Sequence, residues 1–167
     1  VPLPAPAPAT LSEERQTEML VAAIHDACRL LTTPNLTMRQ AVDHFGTLPE
    51  GEQRPEVIYM KHTRDPILSG VDIVAMTDDE DRPVDRVSYI GLNYAYPDTL
   101  PLDSLRRAFG PERTDLDLSP HDRGVTFFWS PGPGERKCEI DVSHAPDDPR
   151  FPDVWLADTI DVALSDL

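Results

Sequence analysis

Several kinds of chemistry are ruled out by what this chain lacks. Its eight glycines are scattered at turns. They never gather into a loop whose backbone N–H groups could cradle a phosphate, which argues against a nucleotide-binding turn. There is no Gly-x-Ser-x-Gly bend of the kind that presents a hydrolase serine. Apolar runs stay far below the roughly 18 residues of a membrane span, so no inserted helix is expected. Basic residues are scarce: 15 Lys and Arg against 30 Asp and Glu leave a formal net charge of −15. Such a surface repels phosphate and disfavours nucleic acid and anionic membrane as partners. The same field attracts a basic protein or a cation, and without either it serves solubility.

Cysteine is nearly absent as well. Cys28 and Cys138 are the two in the chain. Either they form a disulfide closing a loop of about 110 residues, nominally worth about 4–5 kcal/mol, or they are two buried thiols. Pairing requires an oxidising compartment. Val1 to Ala9 alternates proline with small residues, the composition of an extended polyproline tether. A tether of this kind on a chain beginning with Val1 predicts an exported protein, periplasmic or secreted. A cytosolic chain cut at a convenient boundary is the alternative. Residues 10–167 are long enough to build one domain around one core.

The chain does contain a repeated stretch. Leu36–Gly46 and Leu100–Gly110 match at Leu36/Leu100, Met38/Leu102, Ala41/Leu105, Phe45/Phe109 and Gly46/Gly110, each pair 64 residues apart. Apolar residues at steps of three and four predict a short helix in each. Thr37 with Gln40 forms a capping box, and Pro101 suits a first helical turn. Each closing glycine is expected to take a left-handed conformation. A longer amphipathic helix is predicted over Leu11–Leu31, capped from Thr10. Leu20, Ile24, Ala27, Cys28 and Leu31 line its apolar stripe.

Strand signals follow each short helix. Residues 57–62, 71–77 and 84–94 read as strands, with a hairpin tip at Asp78–Asp81. On the third, Val87 and Tyr89 are expected to oppose Ile90, Leu92 and Tyr94. Residues 125–130 and 136–144 flank the turn Ser130–Glu135. On the latter strand Cys138, Ile140, Val142 and His144 alternate with Lys137, Glu139, Asp141 and Ser143, the period of a half-buried antiparallel strand. The final run, Val154–Leu164, alternates as a strand does. The expected fold is α+β: an antiparallel sheet with helices packed on one face, in two similar helix-plus-meander halves over about residues 35–96 and 99–165. If the long helix packs on the sheet, Cys28 and Cys138 approach each other.

Candidate chemistry is thin. His25 and Cys28 stand three apart on one helix, a metal-ligand spacing, but no second Cys/His pair lies nearby. Asp141, Ser143 and His144 hold the residue types of a hydrolase triad without its strained turn. Asp78, Asp79, Glu80 and Asp81, with Asp85, could offer calcium their carboxylates, yet lack the alternating spacing of an EF-hand loop; Asp147, Asp148 and Asp153 are weaker still. No catalytic residue, metal site or cofactor is assigned. The aromatics are more telling. Phe127, Phe128 and Trp129 are consecutive, so at least one must point away from the core. Aromatic residues on an outer sheet face among carboxylates suit a protein partner.

The repeated Phe-Gly helices and the strands after them resemble the fold of β-lactamase inhibitor protein, shared with the SmpA/OmlA outer-membrane lipoproteins, over residues 35–165. The resemblance implies a secreted or periplasmic protein that binds another protein through its open sheet face, and it brings no catalytic residues. The expected function is therefore an exported binding module, an inhibitor or immunity protein that neutralises a basic partner by occlusion. Glu139 and Asp141 would steer association, and Tyr89, Phe128 and Trp129 would anchor it. An envelope-assembly accessory is one alternative; a small hydrolase or metal-dependent enzyme is another.

Overall fold

The computed structural model describes residues 11–46, 54–61, 63–96, 102–110, 124–144 and 157–165. The proline-rich segment, the caps assigned to Thr10 and Pro101, and Asp147, Asp148 and Asp153 lie outside them.

The first helix, α1, runs Glu13–Leu31. Ser12, not Thr10, sets its start: the serine hydroxyl accepts from the Arg15 N–H at 3.1 Å, satisfying a donor that the helix itself leaves open. Glu13 and Glu14 then sit against the positive end of the helix dipole. Leu20, Ala23, Ile24, Ala27, Cys28 and Leu31 are buried, as their spacing dictates.

The second helix, α2, runs Met38–Phe45 behind the Thr37/Gln40 capping box, with both reciprocal bonds present. A second donor is met from a distance. The Asp85 carboxylate accepts from the Met38 N–H at 3.0 Å. The third helix, α3, is Leu102–Phe109, and Leu105 is its buried anchor. The two helix-ending glycines differ. Gly110 takes φ +84°, a conformation that L side chains rarely adopt, and its N–H closes on Arg106 O at 2.8 Å. Gly46 instead leaves α2 at φ 157°, ψ −145°, outside the left-handed helical region.

Six strands form one antiparallel sheet: β1 Val57–Met60, β2 Leu68–Thr77, β3 Pro83–Tyr94, β4 Gly124–Trp129, β5 Cys138–His144 and β6 Ala157–Leu164. The final run is thus a strand, as its alternation predicts. The spatial order is β1-β2-β3-β6-β5-β4. Each short helix leads into a three-stranded meander, and the meanders join where β3 pairs with β6. Strand limits move from those expected: β2 begins earlier, at Leu68, and β5 later, at Cys138.

The hairpin tips show why the chain reverses where it does. Between β2 and β3, Asp78 Oδ1 accepts from the Glu80 and Arg82 N–H groups, each at 2.9 Å. Between β4 and β5, the Ser130 hydroxyl donates to Gly132 O at 2.8 Å. One bulge changes the reading of β3. Val74 pairs with Tyr89 but Ala75 pairs with Val87, so Ser88 is an extra residue. A single extra residue reverses the side-chain alternation on one side of it. Val87 therefore joins the core while Tyr89 faces out.

All three helices pack on the face carrying Val71, Ile73, Ile90, Leu92, Ile140, Ile160 and Val162, and the buried residues form one contiguous cluster. A disulfide between Cys28 and Cys138 ties α1 to β5, with Cα atoms 5.9 Å apart and both residues fully buried. Because it links positions 110 residues apart, it removes much freedom from the unfolded chain. Replacing both cysteines by alanine should lower the unfolding free energy by about 2–5 kcal/mol, read as a drop in the urea midpoint. An unchanged midpoint would show that the crosslink constrains nothing the fold does not already hold.

Candidate functional site

Strand pleating gives the sheet a second face, directed away from the helices. Register places a row of side chains across it: Tyr59 opposite Asp72, Asp72 opposite Gly91, Gly91 opposite Asp161, Asp161 opposite Asp141, and Asp141 opposite Thr126. A parallel row beside it runs Val57, Val74, Tyr89, Ala163, Glu139 and Phe128. Three aspartates from three strands, β2, β6 and β5, therefore stand in one line, with Gly91 of β3 between the first two and aromatic rings beside them.

Gly91 decides how close two of those carboxylates come. A Cβ at position 91 would lie 3.1 Å from Asp161 Oδ1 and 3.5 Å from Asp72 Oδ2. With no side chain there, both carboxylates lean into the same space. On β2, the Tyr59 ring and hydroxyl lie across Gly70 in the same manner, 3.2 and 3.1 Å from where a Cβ would stand.

The electrostatics follow from this crowding. Burial pushes the Asp161 carboxyl above the usual aspartate range, and the charges of Asp141 and Asp72 push it the same way. Burial also raises Asp72, partly offset by a hydrogen bond from the Asn93 side chain. The Tyr89 phenol is raised by burial, then by Asp161 and Asp72. Among the described residues no cation forms an ion pair with Asp72, Asp141 or Asp161.

Exposure along the rows is uneven. Tyr59 is 47% and Tyr89 36% exposed, at the β1–β3 end, whereas Thr126 at the β4 end is only 4% exposed and donates to Asp141 Oδ1 at 2.6 Å. The accessible part of the face thus lies over β1, β2, β3 and β6. Of the residues expected there, Tyr89 is exposed on it, while Asp141, Glu139 and Phe128 share the face toward its more covered side and are partly buried.

Trp129, expected on that face, lies on the opposite one. It pairs with Cys138 and points toward the helices, where its indole stacks on the His25 imidazole at 3.9 Å and 12°. Phe109 meets the same imidazole edge-on at 5.6 Å, and the Arg29 guanidinium lies 5.5 Å from the indole centre. Two neighbouring residues on a strand face opposite ways, so Phe128 out requires Trp129 in. His25 and Cys28 do not form a ligand pair, because the Cys28 sulfur is bonded to Cys138. His25 Nε2 is buried with no hydrogen-bond partner among the described residues.

The remaining candidates have local roles. Asp78 is occupied by its own turn and by Arg82, and Asp85 caps α2. The Ser143 and His144 side chains lie outside the described residues. His44 Nε2 meets Asp26 Oδ2 at 2.6 Å, bridging α2 to α1 beside a hollow of about 240 Å³ that also takes in Arg64 and Asp65. The described residues lining the hollow include no Ser, Thr, Cys or Lys to act as a nucleophile.

Tyr59, Asp72, Gly91 and Asp161 escaped the sequence reading. Asp72 between Val71 and Ile73, and Asp161 between Ile160 and Val162, do carry a signal, a carboxylate alternating outward on a strand. Their adjacency carries none, because it depends on the pairing of β3 with β6. No family model, curated protein or solved structure matches the chain.

Two pH dependences follow. Asp161 keeps its proton to higher pH in the folded chain than in the unfolded one. The penalty from its burial and from the neighbouring carboxylates is therefore complete above its folded pKa and vanishes below the ordinary value of 3.8, where both states are protonated. Asp161→Asn should raise the melting temperature at pH 7, with the gain closing as pH falls through that range; a gain that persists under acid has another cause. His25 is shifted the other way: burial, then Arg29, lowers its pKa from 6.5. Its contribution is complete above that value and declines as pH drops below it. His25→Phe, which retains a stacked ring, should lose this limb of the melting curve, and an identical limb in both proteins would assign it elsewhere.

Proposed function

We propose that this chain is an exported protein-binding module that occludes a basic partner protein, as an inhibitor or immunity protein does. One observation carries the reading: Asp72, Asp161 and Asp141 stand in line on the outer sheet face with no ion-pair partner among the described residues, beside the exposed rings of Tyr59 and Tyr89. Like charges held together are unfavourable in isolation and become favourable when a cationic surface approaches. The net charge of −15 adds a long-range field that speeds encounter. Tyr59 and Tyr89 supply the rigid contact area that interface hot spots use. Occlusion asks for shape and charge, not for a catalytic group.

Export is supported by the Cys28–Cys138 disulfide, a bond that persists in oxidising compartments. We take the two helix-plus-meander halves to be copies of one unit, as the 64-residue offset between the short helices suggests. We extend the resemblance to the β-lactamase inhibitor protein and SmpA/OmlA fold on that basis. An envelope-assembly accessory would use the same face on a resident envelope protein, so the identity of the partner separates the two readings.

Affinity capture from an envelope extract, run with the wild-type chain, a Tyr59→Ala/Tyr89→Ala variant and an α2-surface control Arg39→Ala, tests the proposal. A basic protein held by the wild type and the control, lost on the tyrosine variant, and binding at least about tenfold more slowly at high salt is the expected result. A partner recovered equally by all three chains, or indifferent to salt, would remove the open face from the function.

A further inference from the structure

We infer that the open face recognises its partner through one arginine side chain, seated where Asp72 and Asp161 converge over Gly91. The inference rests on the docking reading above and adds the chemistry of the contact.

The surface around this point is a sheet face on which no described helix packs, and it has a definite charge. Oxygens from both carboxylates lie within 3.5 Å of one point above Gly91. They arrive from opposite neighbouring strands, β2 and β6. Asn93, two residues along β3 on the same face, holds the Asp72 carboxylate by a side-chain hydrogen bond. Tyr89, two residues the other way, feels both carboxylates, and Tyr59 stands across from Asp72. No described residue supplies a cation here, and no group of His, Cys, Asp and Glu among the described residues converges closely enough to hold a metal ion. A cationic side chain of a partner would supply the complementary charge.

Arginine fits better than lysine for a geometric reason. Its guanidinium is flat and carries N–H donors on several edges, so it can bond two carboxylates that approach from different sides. It also lies against tyrosine faces, and two are exposed on either side. A lysine ammonium is a compact, strongly hydrated point charge that gains less from either feature. Beyond the clasp, Val74 and Ala163 continue on the same face to either side of Tyr89, which suits a polypeptide and not a free amino acid.

Gly91 makes the clasp testable without breaking the sheet. Gly91→Ala would place a Cβ against Asp161 Oδ1, the far end of a flexible side chain, so the carboxylates spread while the strand remains. Asp161→Asn keeps the shape and removes the charge. The probes are three blocked pentapeptides, Gly-Gly-X-Gly-Gly with X arginine, lysine or citrulline, titrated into the isotope-labelled full chain and followed by amide chemical shifts.

The arginine peptide should shift Asp72, Gly91 and Asp161, bind at least about threefold more tightly than the lysine peptide, and weaken about fivefold or more in either variant. The citrulline peptide, uncharged and nearly isosteric, should leave those amides unmoved. Equal responses to arginine and citrulline, or unchanged arginine affinity in both variants, would overturn the clasp. The docking reading fails separately. A partner protein that binds Gly91→Ala and Asp161→Asn at full strength but loses affinity for Tyr59→Ala/Tyr89→Ala would overturn the clasp and keep the face. One that is indifferent to all of these variants would overturn both.

Discussion

The pairing of β3 with β6 is the interaction on which the rest of this protein depends. Each meander alone is three strands with one apolar side, the smallest sheet that can stand by itself. Pairing through Tyr89–Asn93 and Thr159–Ala163 makes them one sheet wide enough to seat three helices on a shared core. The same pairing brings Gly91 opposite Asp161 and so completes the line of aspartates on the other side. Stability and the candidate site thus rest on one ladder of backbone hydrogen bonds.

The helical side is closed with several independent ties. The Cys28–Cys138 disulfide holds α1 on β5, Asp85 caps α2 from β3, and the Tyr94 hydroxyl donates to the buried Gln16 side chain. Ser104 of α3 donates to Glu13 of α1 at 2.9 Å. Polar groups on this side find partners and the apolar groups are buried, the usual condition of a core. Among the described residues His25 Nε2 is the exception, its ring stacked on Trp129.

The opposite face follows a different rule. Burial opposes the ionisation of Asp72 and Asp161, the charges of Asp141 and Asp72 oppose that of Asp161 further, and the rings of Tyr59 and Tyr89 stand exposed beside them. A protein selected only for stability would place a lysine or a neutral side chain in such a row. Local disadvantage of this kind is characteristic of surfaces shaped for binding, where a partner supplies the compensating charge. The covered β4 end and the accessible β1–β3 end show that the surface is a limited patch, displaced from the Phe128 side toward Tyr59 and Tyr89.

The amino-acid sequence by itself determined the α+β class and, among the described residues, the three helices and the six strands. Periodicity, caps and turn residues act over a few neighbours, and Leu20–Ile24–Leu31 or Cys138–Ile140–Val142 carry their pattern locally. It also marked Tyr89, Asp141 and the two cysteines as residues of interest. Only the tertiary structure decided which strands meet. That choice set Asp72, Gly91, Asp161 and Asp141 side by side, and it turned Trp129 inward against His25. The Ser88 bulge, which sent Val87 into the core, was likewise invisible, since one unpaired residue leaves no trace in composition or spacing. Contacts between residues far apart in the chain depend on register and strand order, and these are settled by the whole core packing at once.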